Sequence, residues 1–101
     1  MSEMKTILVL NAIINKENMA ELPTYLGGVM PIFAKHGGKL IGKYKTVQQL
    51  AGEESPEIIA IHEFPNAEVI NNMINGNDFE AFADLRAKVF TKLNMVICNE
   101  M

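Results

Sequence analysis

An arginine stands among apolar residues in the second half of the chain. Residues 78–90 (DFEAFADLRAKVF) are typical of a helix, and at about 100° per residue their large apolar side chains fall on one stripe. Arg86 projects near the middle of this stripe, whereas Glu80, Asp84 and Lys88 project from the other side. A guanidinium aimed at a core needs a carboxylate, a bound anion or a path to water. Arg86 is therefore the first candidate for binding an anionic ligand.

Glu63 is the predicted partner of Arg86. It lies near the end of an apolar strand predicted over residues 57–64 (EIIAIHEF), where a carboxylate facing the helices would neutralise the guanidinium. Two interpretations are open for the pair: a structural ion pair, or a clamp in which Arg86 holds the carboxylate or enolate of a small molecule. In a third, Arg86 reaches water and has little effect.

His62 precedes Glu63, and neighbouring residues of a strand point to opposite faces of a sheet. If Glu63 meets Arg86, His62 faces away from the helices and into a subunit interface. His62 and Glu63 are the weak candidates for a general base, and no catalytic residue is assigned beyond them. Tyr25 and Tyr44 are predicted to join Arg86 and Glu63 as ligand-binding side chains.

Metal and nucleophilic chemistry have little support. His36 and His62 are far apart in sequence and Cys98 is the single cysteine, so no pair has the spacing of metal ligands. Cys98 lies in an apolar stretch typical of a small buried hydrophobe rather than a nucleophile. The sequence therefore predicts no metal and no cofactor.

The composition is that of an ordinary globular domain. With 49% hydrophobic and 21% charged residues, the 101-residue chain is predicted to form a single domain over residues 1–101 with one core. The net charge of −3 argues against a nucleic-acid partner, because phosphate backbones are bound by positively charged protein surfaces. Four lysines are a local exception, either as the solvated face of an edge strand or as an anion-attracting patch: Lys35, Lys39, Lys43 and Lys45.

The chain has no apolar run near the ~20 residues that a membrane span needs. A single cysteine permits no internal disulfide, which suits a reducing compartment. These features predict a cytoplasmic protein without a membrane partner.

Strand and helix patterns alternate in the order βαββαβ. Strands are predicted over residues 6–14, 38–50, 57–64 and 91–98, and helices over residues 19–36 and from the N-cap Asn66 to Phe90, with a break at residues 75–78. This order predicts an α+β, ferredoxin-like fold, with one antiparallel sheet and two helices on one face.

The first and third predicted strands are apolar on both faces. A sheet with one face in water alternates apolar and polar residues instead. Because two helices cover only one face, the sequence predicts a homodimer in which the second faces of two sheets pack together.

The chain resembles a known family in three segments. These are KHGGKL (residues 35–40), EFP (residues 63–65) and the stretch from Phe79 to Arg86, in the order and spacing of the domain-of-unknown-function 1330 family of the dimeric α/β-barrel superfamily. Tyr25 also matches an aromatic residue usual in the first helix of that family. The chain departs from the family pattern where INNMI (residues 70–74) replaces a Trp-Tyr pair and Phe79 replaces a tyrosine. The resemblance implies a ferredoxin-like fold and a homodimeric α/β barrel.

The resemblance implies no particular activity, because superfamily relatives include cofactor-independent monooxygenases, muconolactone-type isomerases, haem enzymes and ligand-binding modules. The leading prediction is a small homodimer that binds a carboxylate or aromatic ligand between sheet and helices. One alternative is a cofactor-independent monooxygenase or isomerase acting on a small aromatic or keto acid, with Arg86 holding the anion and His62 or Glu63 as base. Another is a structural or interaction dimer without a ligand.

Overall fold

A computed structural model describes residues 5–53 and 56–101 of the chain. The strands are β1 (Thr6–Ile14), β2 (Lys39–Lys45), β3 (Ile58–Phe64) and β4 (Phe90–Asn99). The helices are α1 (Leu22–Lys35), α2 (Ala67–Ile74), α3 (Asn77–Glu80) and α4 (Ala83–Val89), and a 3₁₀ helix (Lys16–Glu21) precedes α1. The strands form one antiparallel sheet in the order β2-β3-β1-β4. The predicted ferredoxin-like α+β fold is confirmed.

The helices pack on the sheet face that carries the even-numbered residues of β1. Thr6, Leu8, Ala12 and Ile14 are buried there. Leu8 pairs with His62 of β3 on one side and with Ile97 of β4 on the other. This face, with the apolar sides of the helices, forms the core.

The α1 helix buries one stripe and ends at a glycine. Tyr25, Val29, Ile32 and Phe33 recur at helical spacing and are all buried. The chain leaves the helix through Gly37, whose φ of 83° favours glycine, and the Gly38 amide donates to the Phe33 carbonyl at 2.8 Å. A Cβ at position 38 would also stand 2.6 Å from the Phe64 ring, so this glycine lets the end of α1 approach β3 closely.

The second helical region begins as predicted and then departs from the prediction. Asn66 caps α2, and its Oδ1 accepts from the Val69 amide at 2.9 Å. Residues 78–90 do not form one helix, because Phe82 leaves the helical conformation (φ −99°, ψ 8°) between α3 and α4. The Phe82 ring packs over Gly28 of α1 and edge-on against Tyr25. This packing interrupts the single apolar stripe on which Arg86 was placed.

The prediction that Glu63 faces the helices is wrong. His62 and Phe64 point toward the helices and are buried, and Glu63 points to the opposite face with Ile59 and Ile61. Phe64 decides this orientation, because its large ring adds to the core by packing against Phe33. On the other face the carboxylate is partly exposed to water and near Lys5, which costs less than burial.

The sheet face opposite the helices is apolar at its centre. It is formed by Ile7 and Val9 of β1, Ile59 and Ile61 of β3, and Val96 of β4, and we call it the open face. No element formed by residues 5–53 and 56–101 packs on it. Within the same residues, the helices are all too short or too polar to cross a lipid bilayer.

Candidate ligand-binding cavity

A cavity of about 250 Å³ lies between α1 and the helix-facing side of the sheet. Its floor consists of Leu10, Ala12, Ile58, Ala60, His62, Leu93 and Met95. Its other walls are Leu22, Tyr25, Leu26, Val29, Met30, Phe33, Leu40, Lys43, Phe79 and Phe90. The space arises over small side chains, since Ala60 pairs with Leu10 in the middle of the floor and Ala12 lies further along β1. Leu10 faces the helices and is nevertheless only partly buried, because it borders this space.

Two polar side chains face the cavity without a hydrogen-bond partner in the part of the chain that the structure describes. Tyr25 and His62 are each only 4% exposed, and neither makes a hydrogen bond within the described chain. In that same part of the chain, no fully buried side-chain nitrogen or oxygen lacks a partner. The Tyr25 hydroxyl and the His62 ring nitrogens must therefore reach accessible space, and the cavity that both residues line supplies it. A ligand in this cavity could satisfy both groups.

Both groups are uncharged at neutral pH. Burial raises the pKa of the Tyr25 phenol, and the nearby Arg86 charge opposes this only in part. Burial lowers the pKa of the His62 imidazole. His62 packs edge-on against the Phe33 ring at 4.9 Å between centroids. A neutral imidazole offers one donor and one acceptor, and the phenol can do either.

Below pH 6.5 the stability of the protein is expected to fall as His62 is titrated. The unfolded state takes up a proton near the ordinary pKa of 6.5, but the folded state does so only at a lower pH because its pKa is depressed. Stability is therefore full well above pH 6.5 and falls as the pH drops toward the folded pKa, with a slope of at most about 1.4 kcal/mol per pH unit. Urea unfolding of wild type and His62→Gln across pH 5 to 8 measures this. Parallel pH profiles for the two proteins would contradict it.

Arg86 lies outside the cavity and is not paired with Glu63. Its Nη2 donates to the Phe79 carbonyl at 3.2 Å, and its guanidinium carbon stands 4.1 Å from the centre of the Phe79 ring. Glu63 lies on the open face, where its Oε2 is 3.8 Å from Lys5 Nζ. The predicted Arg86–Glu63 ion pair is wrong, because the sheet separates the two side chains. Arg86 lines an open depression beside the cavity, so its charge reaches water.

We expect Arg86→Met and Glu63→Gln to have additive effects on stability. Arg86→Met removes a hydrogen bond and a cation–π contact and should cost about 1 kcal/mol. Glu63→Gln removes one exposed ion pair and should change the free energy of unfolding by less than about 0.5 kcal/mol. Chemical unfolding of both single variants and of the double variant gives the coupling energy. A coupling above about 1 kcal/mol would mean that the two side chains interact after all.

The sequence matches the model of a protein family, the domain of unknown function DUF1330, over residues 7–101. The chain belongs to this family. No curated protein matches the DUF1330 chain in sequence.

Solved structures resemble the DUF1330 chain along nearly its whole length. A protein of unknown function from Rhodopseudomonas palustris is 14% identical with a TM-score of 0.81, over 99% of this chain and 85% of that one. A dabb family protein with a ferredoxin-like fold from Mesorhizobium loti is 12% identical (TM-score 0.69, 98% and 99% covered). A NIPSNAP domain protein from Burkholderia xenovorans is 11% identical (TM-score 0.64, 95% and 94% covered). At such identities these likenesses establish the fold alone.

The DUF1330 chain brings together only part of the predicted set of ligand-binding residues. Of Arg86, Glu63, Tyr25 and Tyr44, only Tyr25 lines the cavity. Tyr44 is 55% exposed and borders an outer groove between β2 and the 3₁₀ helix. His62 lines the cavity instead of a subunit interface. The sequence contains a signal for this position: residues 62 and 64 point to the same face of a strand, and the large Phe64 ring favours the core.

The two remaining candidates for chemistry have no part in the cavity. Cys98 is exposed, contrary to the prediction that it is buried, because its partner in the sheet is Ile7 of the open face. His36 ends α1, and its Nδ1 is 2.8 Å from the Ile32 carbonyl, as expected for a C-cap. Over the described stretches, no three His, Cys, Asp or Glu side chains are grouped closely enough to hold a metal ion.

Proposed function

We propose that this DUF1330 protein binds a small, mainly apolar organic molecule in the cavity under α1. The observation that carries the proposal is an apolar chamber with two inward-facing polar groups, Tyr25 and His62, that have no hydrogen-bond partner among the described residues. Binding sites for small molecules have this composition, in which apolar walls supply affinity and a few polar groups fix orientation. A core without such a role would place apolar side chains at both positions.

The cavity volume limits the ligand to a single substituted ring or a chain of similar size. Engineered apolar cavities of about 150 Å³ accept benzene. The 250 Å³ here leaves room for one or two further substituents. The leading candidates are small aromatic and carboxylic acids, because a carbonyl or hydroxyl on the ring can bond the Tyr25 hydroxyl and the His62 imidazole.

Thermal denaturation in the presence of small aromatic and carboxylic acids tests this proposal. A ligand that binds only the folded state adds about 2.7 kcal/mol of stability at one hundred times its Kd, so its binding raises the Tm. Tyr25→Phe should weaken binding about five- to tenfold by removing one hydrogen bond. Tyr44→Phe removes a hydroxyl from a residue that pairs with Ile59 of the open face, on the other side of the sheet from the cavity, and should leave binding unchanged. Equal weakening by both variants, or no stabilising ligand in the series, would refute the proposal.

We also propose that the protein is a homodimer formed through the open face. The supporting observation is an apolar sheet face that no described element covers, formed by Ile7, Val9, Ile59 and Ile61. The segment after β2 adds two almost fully exposed apolar side chains, Val47 at 97% and Leu50 at 89%. A second copy placed sheet to sheet would cover the open face. We propose a cytoplasmic location for this dimer, supported by the single cysteine.

A second candidate function, proton transfer in a cofactor-independent isomerase or monooxygenase, is favoured by one observation. His62 faces the cavity as a neutral imidazole, the form in which it can take a proton from a carbon beside a carbonyl group. Glu63 is on the other side of the sheet and cannot share this role. Exchange of such a proton in deuterated water, followed by NMR on bound keto acids, would reveal it. Exchange that persists in His62→Gln would exclude His62 as the base.

A further inference from the structure

The described lining of the cavity has one charged side chain, and it is positive. Among the lining side chains that the structure describes, Lys43 is the only one with a formal charge at neutral pH, and no carboxylate is present. Lys43 pairs in the sheet with Ala60 of the cavity floor, which directs it to the helix side at the edge strand β2. An apolar chamber with a single lysine at its edge is suited to a ligand that has one anionic end.

Lys43 also belongs to the outer groove, which shares Lys43 and Ile58 with the cavity. Lys16 and Lys45 line that groove as well. Within residues 5–53 and 56–101, none of these three lysines forms an ion pair. Three other lysines do: Lys5, Lys35 and Lys88.

Among the described residues that line this groove, Glu57 is the one carboxylate, and it is already engaged. Its Oε1 accepts from the Ile14 amide at 3.1 Å, at the end of β1. The groove is therefore a local excess of positive charge on a chain with a net charge of −3. Arg86 does not line the cavity, because its guanidinium is held on the Phe79 carbonyl and ring. Its charge acts on the Tyr25 phenol, but Lys43 is the charged side chain that borders the cavity itself. A ligand anion would thus be drawn to the β2 edge.

We infer that the ligand is a small monocarboxylate whose apolar body carries a hydroxyl or keto group. Its carboxylate lies at Lys43, with Lys16 and Lys45 adding to the field, and its inner polar group bonds Tyr25 or His62. This inference rests on the proposed ligand-binding function and specifies the chemical class of the ligand. The lysine end and the Tyr25–His62 pair thus recognise different parts of one molecule.

Three probes separate the two ends of the ligand. They are para-hydroxyphenylacetate, its amide, which lacks the charge, and phenylacetate, which lacks the hydroxyl. Calorimetric Kd values are measured for wild type, Lys43→Gln, Tyr25→Phe and Lys39→Gln, at low and at high salt. Lys39 is the matched control. It belongs to the same strand, forms no ion pair within the described residues, and lies opposite Glu63 in the sheet, on the open face rather than at the cavity.

Wild type should bind the hydroxy acid more tightly than the amide, and high salt should reduce this preference. Lys43→Gln should weaken binding of both acids about fivefold and leave binding of the amide unchanged, as expected for a partly exposed charge. Tyr25→Phe should reduce the preference for the hydroxyl, with His62 remaining as a partner, and Lys39→Gln should behave as wild type. The melting temperature of each variant without ligand shows that it is folded.

Equal affinity for acid and amide in wild type, unaffected by salt and by Lys43→Gln, would overturn the inference and leave ligand binding intact. An effect of Lys39→Gln as large as that of Lys43→Gln would also overturn it, because net charge alone would then explain the preference. If none of the three probes binds at millimolar concentration, while neutral apolar molecules raise the Tm, the anionic class is wrong. If neither acids nor neutral molecules bind, the proposed function itself fails.

Discussion

Gly28→Ala is expected to lower the free energy of unfolding by about 2 kcal/mol, whereas Gly27→Ala should raise it by about 0.5 to 1 kcal/mol. Both glycines lie inside α1, where alanine is the better helix former. A Cβ at position 28 would overlap the Phe82 ring, which packs closely against the backbone there. A Cβ at position 27 would meet no atom within 4 Å. The same substitution at adjacent positions thus has opposite signs.

Urea denaturation at one fixed protein concentration measures both values. If Phe82 can move aside at little cost, Gly28→Ala will be as stable as Gly27→Ala, and the close packing of Phe82 on α1 will be disproved. The double variant Gly28→Ala with Phe82→Leu distinguishes steric overlap from other causes. Gly28→Ala should lower the free energy of unfolding less in the Phe82→Leu background than in wild type, because the smaller leucine side chain leaves room for the new methyl group.

Ile61→Asp is expected to dissociate the proposed homodimer into folded monomers. Ile61 is at the centre of the open face, so two copies of the variant would bury two unpaired carboxylates against each other. A cost of about 3 kcal/mol or more raises the dimer Kd at least a hundredfold. In the monomer the same carboxylate faces water, so the fold should persist.

Sedimentation equilibrium at micromolar concentration measures this effect. Thr24→Asp is the control, because it adds the same charge to the exposed first turn of α1, where a helix tolerates a negative side chain. Wild type and Thr24→Asp should sediment as dimers and Ile61→Asp as a monomer. A monomeric wild type would refute the dimer, and a dimeric Ile61→Asp would show that the subunits meet through another surface.

The succession of elements could be predicted from local chemistry. Strands β1 and β3 are rich in β-branched residues, Gly37 ends α1 with a positive φ, and Asn66 caps α2. Each of these signals acts within a few residues, so each can be recognised in a sequence. The match to the family agrees with the resemblance in three short segments.

The orientation of β3 could not be predicted, because both faces of that strand are apolar. Alternation correctly placed His62 and Glu63 on opposite faces but gave no preference for either side. The choice is made by the core, where Phe64 packs on Phe33 and excludes the odd-numbered residues. The cavity follows from the same choice, since His62 lines it only in this orientation.

The position of Arg86 was mispredicted for a related reason. No glycine or proline interrupts residues 78–90, so nothing in the local sequence signals the end of α3. The break is tertiary in origin: Phe82 packs across α1 at Gly28, more than fifty residues earlier in the chain. A helical stripe calculated through that break places Arg86 in a core that it does not enter.

The two alanines under α1 make the cavity adjustable. Ala12 and Ala60 are the smallest side chains on its floor, and each lies on a strand held by neighbours on both sides. A larger apolar residue at either position would fill the void and stabilise the fold without altering the backbone. Selection for stability alone would therefore favour closing the cavity, whereas selection for an occupant would keep it open. The same positions allow relatives to evolve pockets of different size on one scaffold, one methyl group at a time.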